Sequence, residues 1–177
     1  MPTQVALLIA GQAAQQTLGL LGTTIHRLHD HKLSKLKVGI VEMMAGKVTA
    51  FQLVTIRDLG QFVLNMAVEE HKMLRQEYAL DKAAHRATTD VVLRAELNAS
   101  IDKALTQMTR IREHATAFHD AIAVLLGRAA GQLMHFTGDI SLLRMPGELT
   151  APEPLPVIDA VPIPANTNDA DDAEMGR

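Results

Sequence analysis

Proline is confined to the two ends of this sequence. Of seven prolines, one is Pro2 and the other six lie between Pro146 and Pro164, so residues 3–145 contain none. A proline inside a helix removes a backbone donor and costs ~3 kcal/mol. A run this long without one, rich in Ala, Leu, Gln, Arg and Glu, predicts an all-α chain. The aromatic residues agree. There are five, Phe51, Phe62, Tyr78, Phe118 and Phe136, and no Trp. That is too few for a β-sandwich or for a platform that stacks nucleic-acid bases. A chain of 177 residues is expected to form one compact domain with a tail.

Charge divides the chain into the same regions. Residues 1–48 carry five Lys/Arg and two Asp/Glu, residues 49–137 carry ten of each, and residues 138–177 carry two basic and eight acidic residues. The expected organisation is an apolar Gly/Ala/Gln-rich helix with a basic end over 1–31, a helical bundle or coiled-coil hairpin over 32–145, and an acidic, proline-containing tail over 146–177. The tail has too little apolar surface beyond its EPLPVIDAVPIP stretch to fold, and is expected to be disordered.

From Leu59 one phase of alternating three- and four-residue steps runs through Phe62, Met66, Glu69, Met73, Gln76 and Leu80. It continues through Leu97, Ile101, Met108, Ile111, Phe118, Ile122 and Leu125. Such spacing predicts a seam facing another helix, in the same chain or in a second one. The stretch His85–Asp90 places basic residues before three residues of the helix-capping type. It reads as a turn between antiparallel helices over about 48–86 and 89–136, with one continuous rod as the alternative. A further helix is expected over about 33–45, and a short turn over 139–144.

The first 26 residues hold no charged side chain. Val5–Ile25 is long enough as a helix to cross a bilayer, and Arg27, Lys32, Lys35 and Lys37 follow it. Gln12, Gln15 and Gln16 are costly in lipid unless paired. Residues Leu7, Leu8, Ala10, Gly11, Ala14, Leu18, Gly19 and Gly22 make a small and apolar surface suited to membrane or oligomer contact. A buried core helix would be equally apolar. No charged stretch precedes the apolar run, so a cleavable signal peptide is not expected. The location expected is membrane-associated or cytoplasmic.

No nucleotide-binding, acyl-transfer, zincin or EF-hand motif is present. No Glu stands three residues before a His, which argues against a ferritin-like di-metal site. The chain has no Cys, which removes thiolate metal sites. His26, His29 and Asp30 share a helix face, and Glu69, Glu70 and His71 could approach Glu113 and His114. Both groups read more simply as a solvated helix end and a buried polar contact. No catalytic residue, metal or cofactor is expected, and the neutral helical middle gives little for nucleic acid to bind.

The expectation is a non-enzymatic helical assembly protein. It would self-associate through its heptad seam and contact or enter a membrane through its N-terminal helix. The alternative is a soluble helical-bundle adaptor or regulator whose C-terminal tail binds a protein partner. The layout resembles that of phage internal virion (ejection) proteins, and equally that of helical pore-forming and membrane-scaffold proteins. No motif carries that resemblance, and it assigns no residue a role.

Overall fold

A computed structural model of the chain describes residues 2–25, 27–28, 30–130, 136 and 139–148. Among these it is all-helical, with α1 (Pro2–Thr24), α2 (Asp30–Met44), α3 (Ala50–Ala87), α4 (Val91–Ala130) and a 3₁₀ turn at Ile140–Leu142. Residues 149–177 lie outside the described residues, so the expected disorder of the tail falls almost wholly outside them. So do His26, His29 and residues 131–135, 137 and 138, around the helix end expected near 136.

The helix ends are set by local chemistry. Gly46, at φ +66, closes α2, with the Lys47 N–H donating to the Glu42 carbonyl at 3.0 Å. Thr49 caps α3 in a reciprocal capping box with Gln52. The Gln52 amide also donates to Glu42 at 3.0 Å, joining α2 to α3. At the far end of α3, Thr88 is extended and its N–H donates to the Ala84 carbonyl at 3.0 Å. Asp90 then caps α4 by accepting from the N–H groups of Val92 at 2.9 Å and Leu93 at 3.3 Å. The Arg94 guanidinium reaches back to the Thr88 carbonyl at 2.8 Å.

The chain reverses across these three residues, and α4 runs back along α3. The Ser100 hydroxyl donates to Asp81 at 2.6 Å, and farther from the turn Ile122 lies close to Gly60. α1 packs chiefly on α4 and also on α2, and α2 joins it to α3. The core collects Leu18 and Leu21 of α1 and Ile25 just after it, Leu36, Ile40 and Met43 of α2, Val63, Leu64 and Ala67 of α3, and Met108, Phe118, Ile122 and Leu125 of α4. α2 and α3 pack closely at Gly39, since a Cβ there would lie 2.6 Å from Ile56 Cγ1.

The buried stripe of α3 is Leu53, Ile56, Gly60, Val63, Leu64, Ala67, His71 and Leu74. It lies one residue C-terminal to the phase read from Leu59, Phe62 and Met66, which are only half-buried. The single phase that runs from Leu59 into α4 is therefore one residue out of register with the packed face of α3. This removes the oddity of a seam carboxylate, because Glu69 is exposed and the buried polar residue is His71.

Candidate interaction surfaces

α1 has two faces. Ala10, Gly11, Ala14, Leu18 and Leu21 are buried against the bundle, as is Ile25 just after the helix. A Cβ at Gly11 would collide with the Met44 side chain, which would have to move aside. The outward face carries Val5 (59% exposed), Leu8, Ile9 (63% exposed), Gln12, Gln16 and Leu20, with no charge among them. Of the residues expected to make membrane or oligomer contact, Ala10, Gly11, Ala14 and Leu18 therefore face the bundle. Leu8 faces outward, and Leu7, Gly19 and Gly22 lie between. By length and composition, Gln4–Thr24 is a helix able to cross a membrane. Beside it α2 exposes Val38 and Val41 together with Lys35 and Lys37.

The second surface is an arm. From Arg75 to Lys103, the C-terminal part of α3 and the N-terminal part of α4 contain no buried residue. Leu80 (71%), Val91 (79%) and Val92 (68%) are strongly exposed. Of the α4 seam positions, Leu97 and Ile101 lie in this arm and are half-buried. Met108, Ile111, Phe118, Ile122 and Leu125 are buried within the chain's own bundle.

A polar cluster sits where the 139–148 segment crosses the bundle. The Asp139 carboxylate accepts from the Ser141 N–H at 3.0 Å and starts the 3₁₀ turn, and Leu143 is buried. Glu148 then accepts from Arg112 of α4 at 2.7 Å and from the Met145 N–H at 3.1 Å. These hydrogen bonds, the Arg112 one foremost, hold the Glu148 carboxyl below the usual carboxylate range. Beneath them His71 is 1% exposed, and its Nε2 meets no hydrogen-bond partner among the described residues. Burial first, then the positive charges of Arg75 and Arg112, lowers the His71 pKa to about 4, against an opposing pull from Glu148. At neutral pH His71 is therefore an uncharged core residue. His114 instead lies 3.5 Å from the Thr24 hydroxyl, and Glu69 and Glu113 are exposed. Among the described residues no three His, Asp or Glu side chains are placed to hold a metal ion.

An open groove of about 510 Å³ runs along α4 between Thr109 and Asp120, with Met145 on its edge. Its Arg112 is engaged by Glu148.

No protein family, curated protein or solved structure matches this chain.

Proposed function

We propose that this chain is a non-enzymatic helical assembly protein that self-associates and contacts a membrane surface through the outward face of α1. The observation that carries the reading is the two-sidedness of that helix. Its inner face completes the bundle core, while its outer face presents Val5, Leu8, Ile9 and Leu20 to the surroundings without a charge. Contiguous exposed apolar surface of this kind is a common mark of protein or membrane contact. Lys35 and Lys37 on the adjoining α2 are exposed and suited to anionic headgroups. In this reading α1 lies on the membrane while still packed on α2 and α4, because leaving the bundle would uncover Leu18, Leu21 and Ile25.

The coiled-coil part of the reading takes a narrower form. Met108, Ile111, Phe118, Ile122 and Leu125 are occupied by the chain's own helices, so the α3–α4 hairpin offers a second chain its arm rather than its seam. The second reading, a water-soluble adaptor that binds a protein through its tail, is favoured by the burial of the inner face of α1.

Flotation of the full-length protein with anionic liposomes separates the two. Co-flotation that is lost in Ile9→Asp, with helicity unchanged, supports membrane contact. Protein left with the soluble fraction supports the adaptor.

A further inference from the structure

The 139–148 segment is a strap over a part of the α3–α4 pair that α1 and α2 do not reach. Ser100 on Asp81 and Ile122 beside Gly60 fix the register of the two long helices, which sets His71 level with Arg110 and Ile111. The last residue of α1, Thr24, lies against His114, and the rest of α1 leads away, toward Gly11 beside Met44. α2 begins where Lys32 lies over the Phe62 ring and also leads away, toward the contact of Glu42 with Gln52. The strap does reach this level, through Glu148 on Arg112. It buries Leu143 and packs Ile140 and Met145 on the core. Beneath it His71 is 1% exposed, and its Nε2 has no hydrogen-bond partner among the described residues. We propose that the strap is an acid-released latch, lifted from the bundle when His71 and Glu148 take up protons while the helices stay folded.

The two protons act in the same direction. An imidazolium buried without an acceptor is costly, and water relieves that cost. The charged groups that face His71 are Arg75 on its own helix, Arg112 of α4 and Glu148 of the strap. Arg144 of the strap adds a cation near Glu148. On the remaining elements His114 is turned to Thr24, Lys32 is engaged on Phe62, and α1 carries no charge. Glu148 is thus both the tether and the anion that opposes Arg75 and Arg112. Protonating it loosens the strap and leaves a protonated His71 facing cations, so the open form, with His71 in water, binds both protons better. A ligand that prefers one form shifts the population toward it. The Arg112–Glu148 pair is half-exposed and contributes little by itself, so a small shift is enough to open so short a segment. Opening uncovers Ile140, Leu143 and Met145 together. The latch works whether or not α1 meets a membrane.

The test is an NMR titration of the full-length protein, following the His71 ring and the Leu143 methyl groups, with circular dichroism for helicity. Glu148→Ala separates a latch from a simple charge effect, because the two predict opposite signs. If Glu148 acts on His71 by its charge alone, removing it lowers the His71 pKa further. If it holds the strap closed, removing it admits water and raises that pKa from about 4 toward the ordinary 6.5. A rise is the expected result. The second comparison is the pH at which Leu143 leaves its buried environment, in the natural protein and in His71→Leu. The natural protein is expected to release Leu143 with its helicity intact, and His71→Leu only at a lower pH, because one of the two driving protons is gone. A His71 pKa that falls or stays the same in Glu148→Ala overturns the proposal. So does release of Leu143 at the same pH in His71→Leu, or loss of helicity in step with the Leu143 signal. Should Glu148→Ala fail to fold, the His71→Leu comparison decides.

Discussion

Arg112 of α4 and Glu148, 36 residues later, meet at 2.7 Å across the surface of the bundle. With Leu143 buried just before it, this pair ties the 139–148 segment to the helices. Surface ion pairs contribute little to global stability, so the effect to look for is local. Arg112→Ala is expected to speed proteolytic cleavage within 139–148 while leaving the thermal midpoint nearly unchanged. Because the folded Glu148 carboxyl titrates below its ordinary 4.5, the tether is complete above that pH. It is lost as pH falls through the lowered value. Limited proteolysis between pH 7 and pH 3 checks both statements.

His71 gives the bundle a pH dependence of its own. The unfolded chain takes up this proton at the ordinary 6.5, and the folded chain only at about 4. Stability is therefore full above 6.5, falls as pH drops from there to about 4, and flattens below. The difference corresponds to ~3 kcal/mol. His71→Leu removes the unpartnered Nε2 at similar volume. It should change stability at pH 7 by no more than ~1.5 kcal/mol and flatten the fall between pH 6.5 and 4. Denaturant unfolding at several pH values measures this directly.

Two glycines of similar sequence context should respond oppositely to alanine. Gly39→Ala drives a Cβ to within 2.6 Å of Ile56 Cγ1 and 2.9 Å of its Cδ1. A branched side chain in a packed interface cannot easily move aside, so a loss of about 1–3 kcal/mol is expected. At Gly19 a Cβ meets nothing within 4 Å, and alanine should add about 0.5–1 kcal/mol through helix propensity. Chemical denaturation of the two variants gives both numbers.

The aromatic residues provide the contrast between core and surface. Phe118 is fully buried and Phe51 strongly exposed. Phe118→Ala is expected to cost about 3–5 kcal/mol, and Phe51→Ala less than about 0.5 kcal/mol. A large loss at Phe51 in dilute solution would mean that this end of the bundle is covered in the folded protein.

The all-helical class was legible because proline is absent from 3–145 and so few aromatic residues suit a β-sandwich poorly. The capping chemistry around Thr49 and Asp90 is likewise written in local sequence. The α3 register was not legible. Apolar residues occur on both sides of that helix, with Phe62 and Met66 beside Val63 and Ala67, and only packing against α2, α4 and the 3₁₀ turn selects the second set. The faces of α1 could not be separated either, since Ala10 and Ile9 differ in surroundings and hardly in polarity. The extent of the arm is set by the length of α1 and α2, whose packing ends before α3 and α4 do. No periodicity within α3 or α4 records where their neighbours stop.

The central claim is that the outward face of α1 meets a membrane while its inward face stays in the bundle. The most direct measurement is liposome flotation at neutral pH of the natural protein beside Val5→Asp/Ile9→Asp, two exposed positions whose change leaves the core intact. The account predicts that the natural protein rises with anionic vesicles and the variant, equally helical, does not. A natural protein that stays below the vesicles, or a variant that rises with them as before, would contradict it.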